Sequence, residues 1–179
     1  MSGDPEKPRK PPRRLRSAAG PLRRSVLHVD ARGRARMVDV GGKGATRRTA
    51  VARGALAMSP HAFDALSSGR LAKGDAVAVA RVAGIQAAKR TSEIVPLCHP
   101  LALESVEVDV DLDRRSRQAV VTATARITGK TGVEMEALIA VSAACLALYD
   151  MIKAIDRAAA IREIVLLEKS GGRSGTYRR

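Results

Sequence analysis

Aromatic residues are nearly missing from this chain, which has no Trp, two Tyr and one Phe in 179 residues. A surface that reads single-stranded nucleic acid stacks bases on aromatic rings, so that class of protein has little to build with here. Cysteine is as scarce, with only Cys98 and Cys145. One stands beside His99 and the other inside an Ala-rich run, so no disulfide framework is expected. The histidines are His28, His61 and His99; none pair at i, i+4 and no Cys-x-x-Cys accompanies them, so no protein-bound metal is expected. Long apolar runs are absent too, because Arg, Asp, Glu or Lys interrupts each one before the roughly 18 residues of a membrane helix. The first residues carry charge with no apolar stretch behind it, which speaks against a secretory signal and for a cytoplasmic protein.

What the chain does have is positive charge, a net +14 from 32 basic and 18 acidic residues. Residues 1–24 contain eight basic and two acidic groups, a net +6, which leaves +8 for the remainder. Pro5, Pro8, Pro11, Pro12 and Pro21 remove backbone donors from that segment, so 1–24 reads as a disordered basic arm. Residues 25–179 have the composition and length of one globular domain with a Gly-rich basic tail. A basic RNA-binding module is the rival reading that the charge suggests, and the shortage of aromatics argues against it.

The pattern predicts a small extended opening over 26–30 and 35–40, then a strand over 46–58. Ser59-Pro60 marks an N-cap with Pro in the first turn, starting a short helix that stops at Gly69. Residues 75–95 read as one Ala-rich helix that Pro96 ends. In 103–113, Val106, Val108, Val110 and Leu112 alternate with Glu107, Asp109, Asp111 and Asp113, a strand wet on one face. Residues 119–128 supply its hairpin partner, 132–159 the longest helix, and 161–170 a closing strand. Helices on one face of an antiparallel sheet give an α+β, ferredoxin-like fold. The longest helix is apolar on nearly all sides, so a self-associating protein is expected.

Several polar groups stand where folding alone does not require them. Asp150 and Lys153 share a helical face at i, i+3, in apolar surroundings that can lower the pKa of a lysine toward neutrality. Glu134 and Glu136 open the same helix. At ~1.5 Å and ~100° per residue, Glu136 lies within about 40° of Asp150 on the helical wheel but roughly 21 Å away along the axis. One chain therefore cannot gather both into a compact site, and a pocket shared between subunits is expected. Cys98-His99-Pro100 lies on a loop where backbone and ring can face a ligand. Lys43, Lys73 and Lys169 flank glycines and, with Arg48 and Gly171-Gly172, suggest a cradle for a polyphosphate. TGKTG at 128–132 looks like the end of a P-loop, but Thr124 occupies the position of that motif's first Gly.

Taken together, MVDVGGK, AKGDAVAVARVAGIQAAKRT, IVPLCHPL, TGKTGVEMEAL, LYDMIKA and LLEKSGGRSG resemble the MoaC family, the cyclic pyranopterin monophosphate synthases of molybdenum cofactor biosynthesis. The resemblance runs from about Val26 to Gly175. It implies a ferredoxin-like subunit in a hexamer of three dimers with active sites at the dimer interface. It also implies a lyase acting on 3′,8-cyclo-7,8-dihydro-GTP, a small GTP-derived molecule, with loss of pyrophosphate. No resident cofactor is implied, and Mg²⁺ on the substrate triphosphate is left open. Carried over by motif, Asp150, Lys153 and Lys73 are catalytic. Leu97, Cys98, His99, Met135 and Glu136 match substrate-binding segments, and Glu134, Lys43, Arg48 and Lys169 match further pocket positions. Ala72, Arg173 and Ser92-Glu93 depart from the family's frequent residues, which bears on pocket polarity.

Overall fold

The computed structural model describes residues 32–179. The basic arm, His28 and the first part of the expected extended opening lie outside these residues. Strand β1, Thr46–Ala57, puts Ala50, Ala52, Gly54 and Leu56 on one face, all buried, and this period-2 alternation fixes which side the helices cover. Ser59 then caps α1, Pro60–Ser67, its Oγ accepting from the Ala62 amide. Asp75 caps α2, Ala76–Lys89, in the same way through the Ala78 amide.

The expected single helix over 75–95 is two. Arg90 leaves helical geometry (φ −111°, ψ 16°), and a one-turn α3 follows, Thr91–Ile94. The buried Thr91 hydroxyl donates to the Ala88 carbonyl at 2.9 Å, a local bond of the kind that lets Thr compete with the helix ladder.

Strands β2, Ser105–Asp113, and β3, Gln118–Gly129, form the hairpin that the alternation predicts. Helix α4, Glu134–Ile152, packs on β1, β3 and β4 and along α2. Gly84 permits that last contact, since a Cβ there would stand 2.9 Å from the Ala140 carbonyl oxygen and 3.4 Å from the Ala144 methyl. By length and composition α4 is apolar enough to cross a membrane, contrary to the reading that charges interrupt every such run, but half of it is buried inside this fold as its core helix.

The helix also stops earlier than the expected 159. The Lys153 amide closes on Tyr149 O at 2.9 Å, and the chain turns as the Ile155 and Asp156 amides bond Ile152 O. Asp156 holds the turn by accepting from the Ser59 amide at 2.6 Å and the Ala158 amide at 2.9 Å, caps that Asp prefers to a helix interior.

Strand β4, Ala160–Ser170, returns antiparallel to β1, and β5, Tyr177–Arg178, adds a short edge that the Gly-rich tail did not announce. The sheet order is β2-β3-β1-β4-β5 with all neighbours antiparallel. The helices α2 and α4 cover one face. This is the expected α+β arrangement, the split βαβ connectivity of ferredoxin-like folds with one extra edge strand. Over 35–40 the expected extended opening forms no strand. Apart from an isolated bridge at Ala35 the segment has no regular structure, and it runs past the start of α4 instead.

Candidate functional site

The candidate residues fall into two groups at opposite ends of α4. At its C-terminal end Asp150, in the last turn, receives two ammonium groups. Lys73, from the loop between α1 and α2, places Nζ 2.7 Å from Asp150 Oδ2 and 2.8 Å from the Asp150 carbonyl oxygen. Lys153, the first residue past the helix, places Nζ 2.7 Å from Oδ1. Both carboxylate oxygens are thus occupied by charge-assisted bonds. The hydrogen bonds from Lys153 and then Lys73 hold the Asp150 carboxyl down at about 2.

The expectation of a lysine pKa lowered by burial is corrected for Lys153. All three side chains are half-exposed, and the hydrogen bond and charge of Asp150 hold the Lys153 ammonium above its ordinary value.

At the N-terminal end of α4 a cavity of about 300 Å³ is lined by Lys43, Leu97, Cys98, His99, Glu134, Met135 and Glu136. Val38, Val40, Leu101, Thr131 and Gly132 complete the lining and were missed as individual positions, because nothing in the pattern of an irregular valine-bearing segment announces that it folds over a helix end. The His99 ring contributes to the wall while its Nε2 lies 2.8 Å from Val38 O. A carbonyl oxygen only accepts, so Nε2 carries the proton and Nδ1 is left for a ligand.

Glu136 is buried, with 4% of its surface accessible, and desolvation followed by the charge of Glu134 raises its pKa. Burial and then Glu136 raise the Cys98 thiol as well, so Cys98 is no activated nucleophile.

Arg48 and Lys169 border this same end. Arg48 donates to Gly129 O at 3.0 Å and Lys130 O at 3.2 Å, and Lys169 lies 3.6 Å from Glu134 and 2.6 Å from Ser174 Oγ. Gly171 and Gly172 have φ of 92° and 73°, and a Cβ on them would stand 2.1 Å from Arg47 O and 2.3 Å from Arg48 Nη1. Only glycine fits at this crossing. Of the residues expected to form a polyphosphate cradle, one chain brings only some together. Lys43, Arg48, Lys169 and the glycine pair share one end, whereas Lys73 is committed to Asp150 at the other. The rejected P-loop reading stands, since Thr124 is paired with Val51 in the middle of β3.

A split βαβ subunit with a lysine–carboxylate cluster at one end of its core helix and a polar cavity at the other defines an α+β protein with two charged candidate sites. The chain belongs to the MoaC family, whose profile matches residues 37–172. It is 55% identical over 154 residues to the cyclic pyranopterin monophosphate synthase of Thermomicrobium roseum, covering 86% of this chain and 93% of that protein. It is 57% identical over 150 residues to the protein of the same name from Roseiflexus castenholzii, covering 84% and 95%. Against cyclic pyranopterin monophosphate synthase 1 of Mycobacterium bovis the identity is 54% over 155 residues, covering 87% and 91%.

Proposed function

We propose that the chain is a cyclic pyranopterin monophosphate synthase of molybdenum cofactor biosynthesis, a lyase that converts 3′,8-cyclo-7,8-dihydro-GTP into cyclic pyranopterin monophosphate and pyrophosphate. The names of its relatives support this, and one observation carries it to particular residues, the Lys73–Asp150–Lys153 cluster with its 2.7 Å contacts. Opening and reclosing the purine-derived rings moves protons at nitrogen and carbon. Lys153 starts as an ammonium and Asp150 as a carboxylate, a donor and an acceptor already hydrogen-bonded together. When the cyclic phosphate forms, a sugar oxygen bonds to the α-phosphorus and the α–β phosphoanhydride breaks. The negative charge that grows on the departing pyrophosphate is what fixed ammonium groups stabilise.

The two clusters serve one reaction when a second copy completes the site. Met135, Ile139, Ser142, Leu146 and Asp150 lie along one side of α4 at helical spacing, and Met135 and Leu146 are exposed at 36% and 58%. Val79 and Val82 on α2 are exposed as well. Two copies packed antiparallel along this surface would set the Asp150 end of one against the Glu136 end of the other, and the apolar stripe between the ends supplies the contact. Three such dimers form the proposed hexamer, working in the cytoplasm. No resident cofactor is part of the proposal, and Mg²⁺ would arrive with the substrate triphosphate. The test is incubation of the purified chain with 3′,8-cyclo-7,8-dihydro-GTP. Stoichiometric cyclic pyranopterin monophosphate and pyrophosphate are expected, and unchanged substrate would overturn the reading.

A further inference from the structure

Lys153 stands where α4 no longer holds the chain. It is the first residue past the helix, its side chain is half-exposed, and an ammonium on a flexible four-carbon stem has no fixed seat of its own. Its Nζ nonetheless lies 2.7 Å from Asp150 Oδ1, the oxygen that Lys73 does not use. The backbone beneath it is the turn 153–158. On the helix side this turn is fastened at Ile152, a fully buried residue whose carbonyl accepts from the Ile155 and Asp156 amides at 2.8 and 3.0 Å.

Asp156 fastens the other side. Its Oδ1 accepts from the Ala158 amide at 2.9 Å, closing the turn toward β4. Its Oδ2 accepts from the Ser59 amide at 2.6 Å, a bond that spans 97 positions of the chain. Ser59 is a rigid place to tie to. Ala57, two residues earlier on the central strand of the sheet, pairs with Gln118 of β3 on one side and Ala160 of β4 on the other. Between them, the Met58 amide bonds Arg117 O at 3.2 Å. Bonds to main-chain amides, that of Ser59 first, hold the Asp156 carboxyl below its ordinary value and keep it charged. The Tyr149 phenol braces the same turn from α4, donating to Arg157 O at 3.1 Å. Ending a helix needs only a local cap, whereas this carboxylate reaches across the fold to the end of β1.

We infer that Asp156 is a positioning residue for the reaction, holding Lys153 against Asp150 by pinning the turn 153–158 to the end of β1. The role rests on the proposed lyase reading, in which Lys153 serves as a proton donor. Asp156 acts only through Lys153, because main-chain amides occupy both of its own oxygens. Lys73 arrives on a separate loop and keeps its bonds to Asp150 whether or not the turn is pinned.

The test is a double-mutant cycle on the full chain, read by steady-state kinetics with 3′,8-cyclo-7,8-dihydro-GTP. Asp156→Asn keeps the side-chain volume but sets an NH₂ against one of the two main-chain N–H groups. It is expected to lower kcat about tenfold, the scale of a displaced proton donor, with KM within about threefold of wild type. In a Lys153→Ala chain the same substitution should change kcat by less than about twofold, because the residue it positions is gone. Asp113→Asn loosens a comparable turn cap on the β2–β3 hairpin and should leave kcat within about twofold of wild type. An unchanged kcat in Asp156→Asn, an equal fall in the Lys153→Ala background, or an equal fall in Asp113→Asn overturns the positioning role. Should Asp156→Asn not fold, Tyr149→Phe carries the same cycle with about threefold in place of tenfold, and an unchanged kcat overturns the role. A wild-type chain that leaves the substrate untouched would instead overturn the lyase reading, so the two failures are told apart.

Discussion

Lys73 Nζ binds both the side-chain oxygen and the main-chain carbonyl of Asp150, at 2.7 and 2.8 Å, and so ties the loop before α2 to the last turn of α4. Asp150 accepts from Lys153 through its other oxygen, so the three residues form one hydrogen-bonded cluster within one chain.

Replacing Lys73 or Lys153 by Ala is expected to lower kcat by at least about 10²-fold, the scale of a lost proton-transfer group. The side chains are half-exposed, so the fold should persist. Steady-state kinetics alongside circular dichroism checks this. Because both lysines serve the same Asp150, mixing these two variants should not restore activity. A reading that drew the two lysines from different chains would have predicted recovery.

The pH dependence has two parts of opposite sign. Asp150, held down at about 2, contributes stability that is complete above its ordinary value of 3.8 and is lost as pH falls toward 2. Glu136 is raised, so its ionisation opposes folding, and stability declines as pH rises above 4.5. Glu136→Gln is therefore expected to raise the thermal midpoint at pH 7 and leave it nearly unchanged at pH 4. Differential scanning calorimetry at the two pH values decides, and a lower midpoint at pH 7 would show that the folded chain stabilises the carboxylate.

How far these features could be read in advance depended on distance along the chain. The β2–β3 hairpin was legible because its acids and valines alternate without a break. The pair Asp150–Lys153 was legible because i, i+3 spacing is local. Lys73 reaches Asp150 across 77 positions, which no spacing rule encodes, and only the family resemblance proposed that both are catalytic. The break at Arg90 and the end of α4 at Ile152 were missed because they depend on particular side-chain bonds, Thr91 to Ala88 O and Asp156 to the Ser59 amide. Strand β5 was missed because its partner is β4, and a two-residue strand has no periodicity to read.

Gly172→Ala tests the crossing of the tail over Arg48. The new methyl would displace a guanidinium that donates to Gly129 O and Lys130 O, and its backbone would be strained at φ 73°. A loss of about 1 kcal/mol or more is expected from the conformation alone. Substrate KM should rise more than kcat falls if Arg48 binds and does no chemistry. Chemical denaturation and initial rates measure the two effects.

Gly84→Ala should destabilise even though Ala is the better helix former by about 1 kcal/mol. Its Cβ would stand 2.9 Å from Ala140 O, a backbone atom that cannot step aside without parting α2 from α4. A net loss of roughly 1–3 kcal/mol is expected from overpacking, read from urea unfolding. Unchanged or increased stability would mean that the two helices are less tightly seated.

In the proposed dimer the Asp150 end of one chain works with the Glu136 end of another. Co-expression of Lys73→Ala with His99→Ala, each inactive alone, tests it most directly. In randomly mixed dimers half the molecules contain both variants, and one of their two sites is intact, so about a quarter of wild-type activity is predicted. Activity no greater than that of the separate variants, in preparations shown by mass spectrometry to contain mixed oligomers, would contradict it.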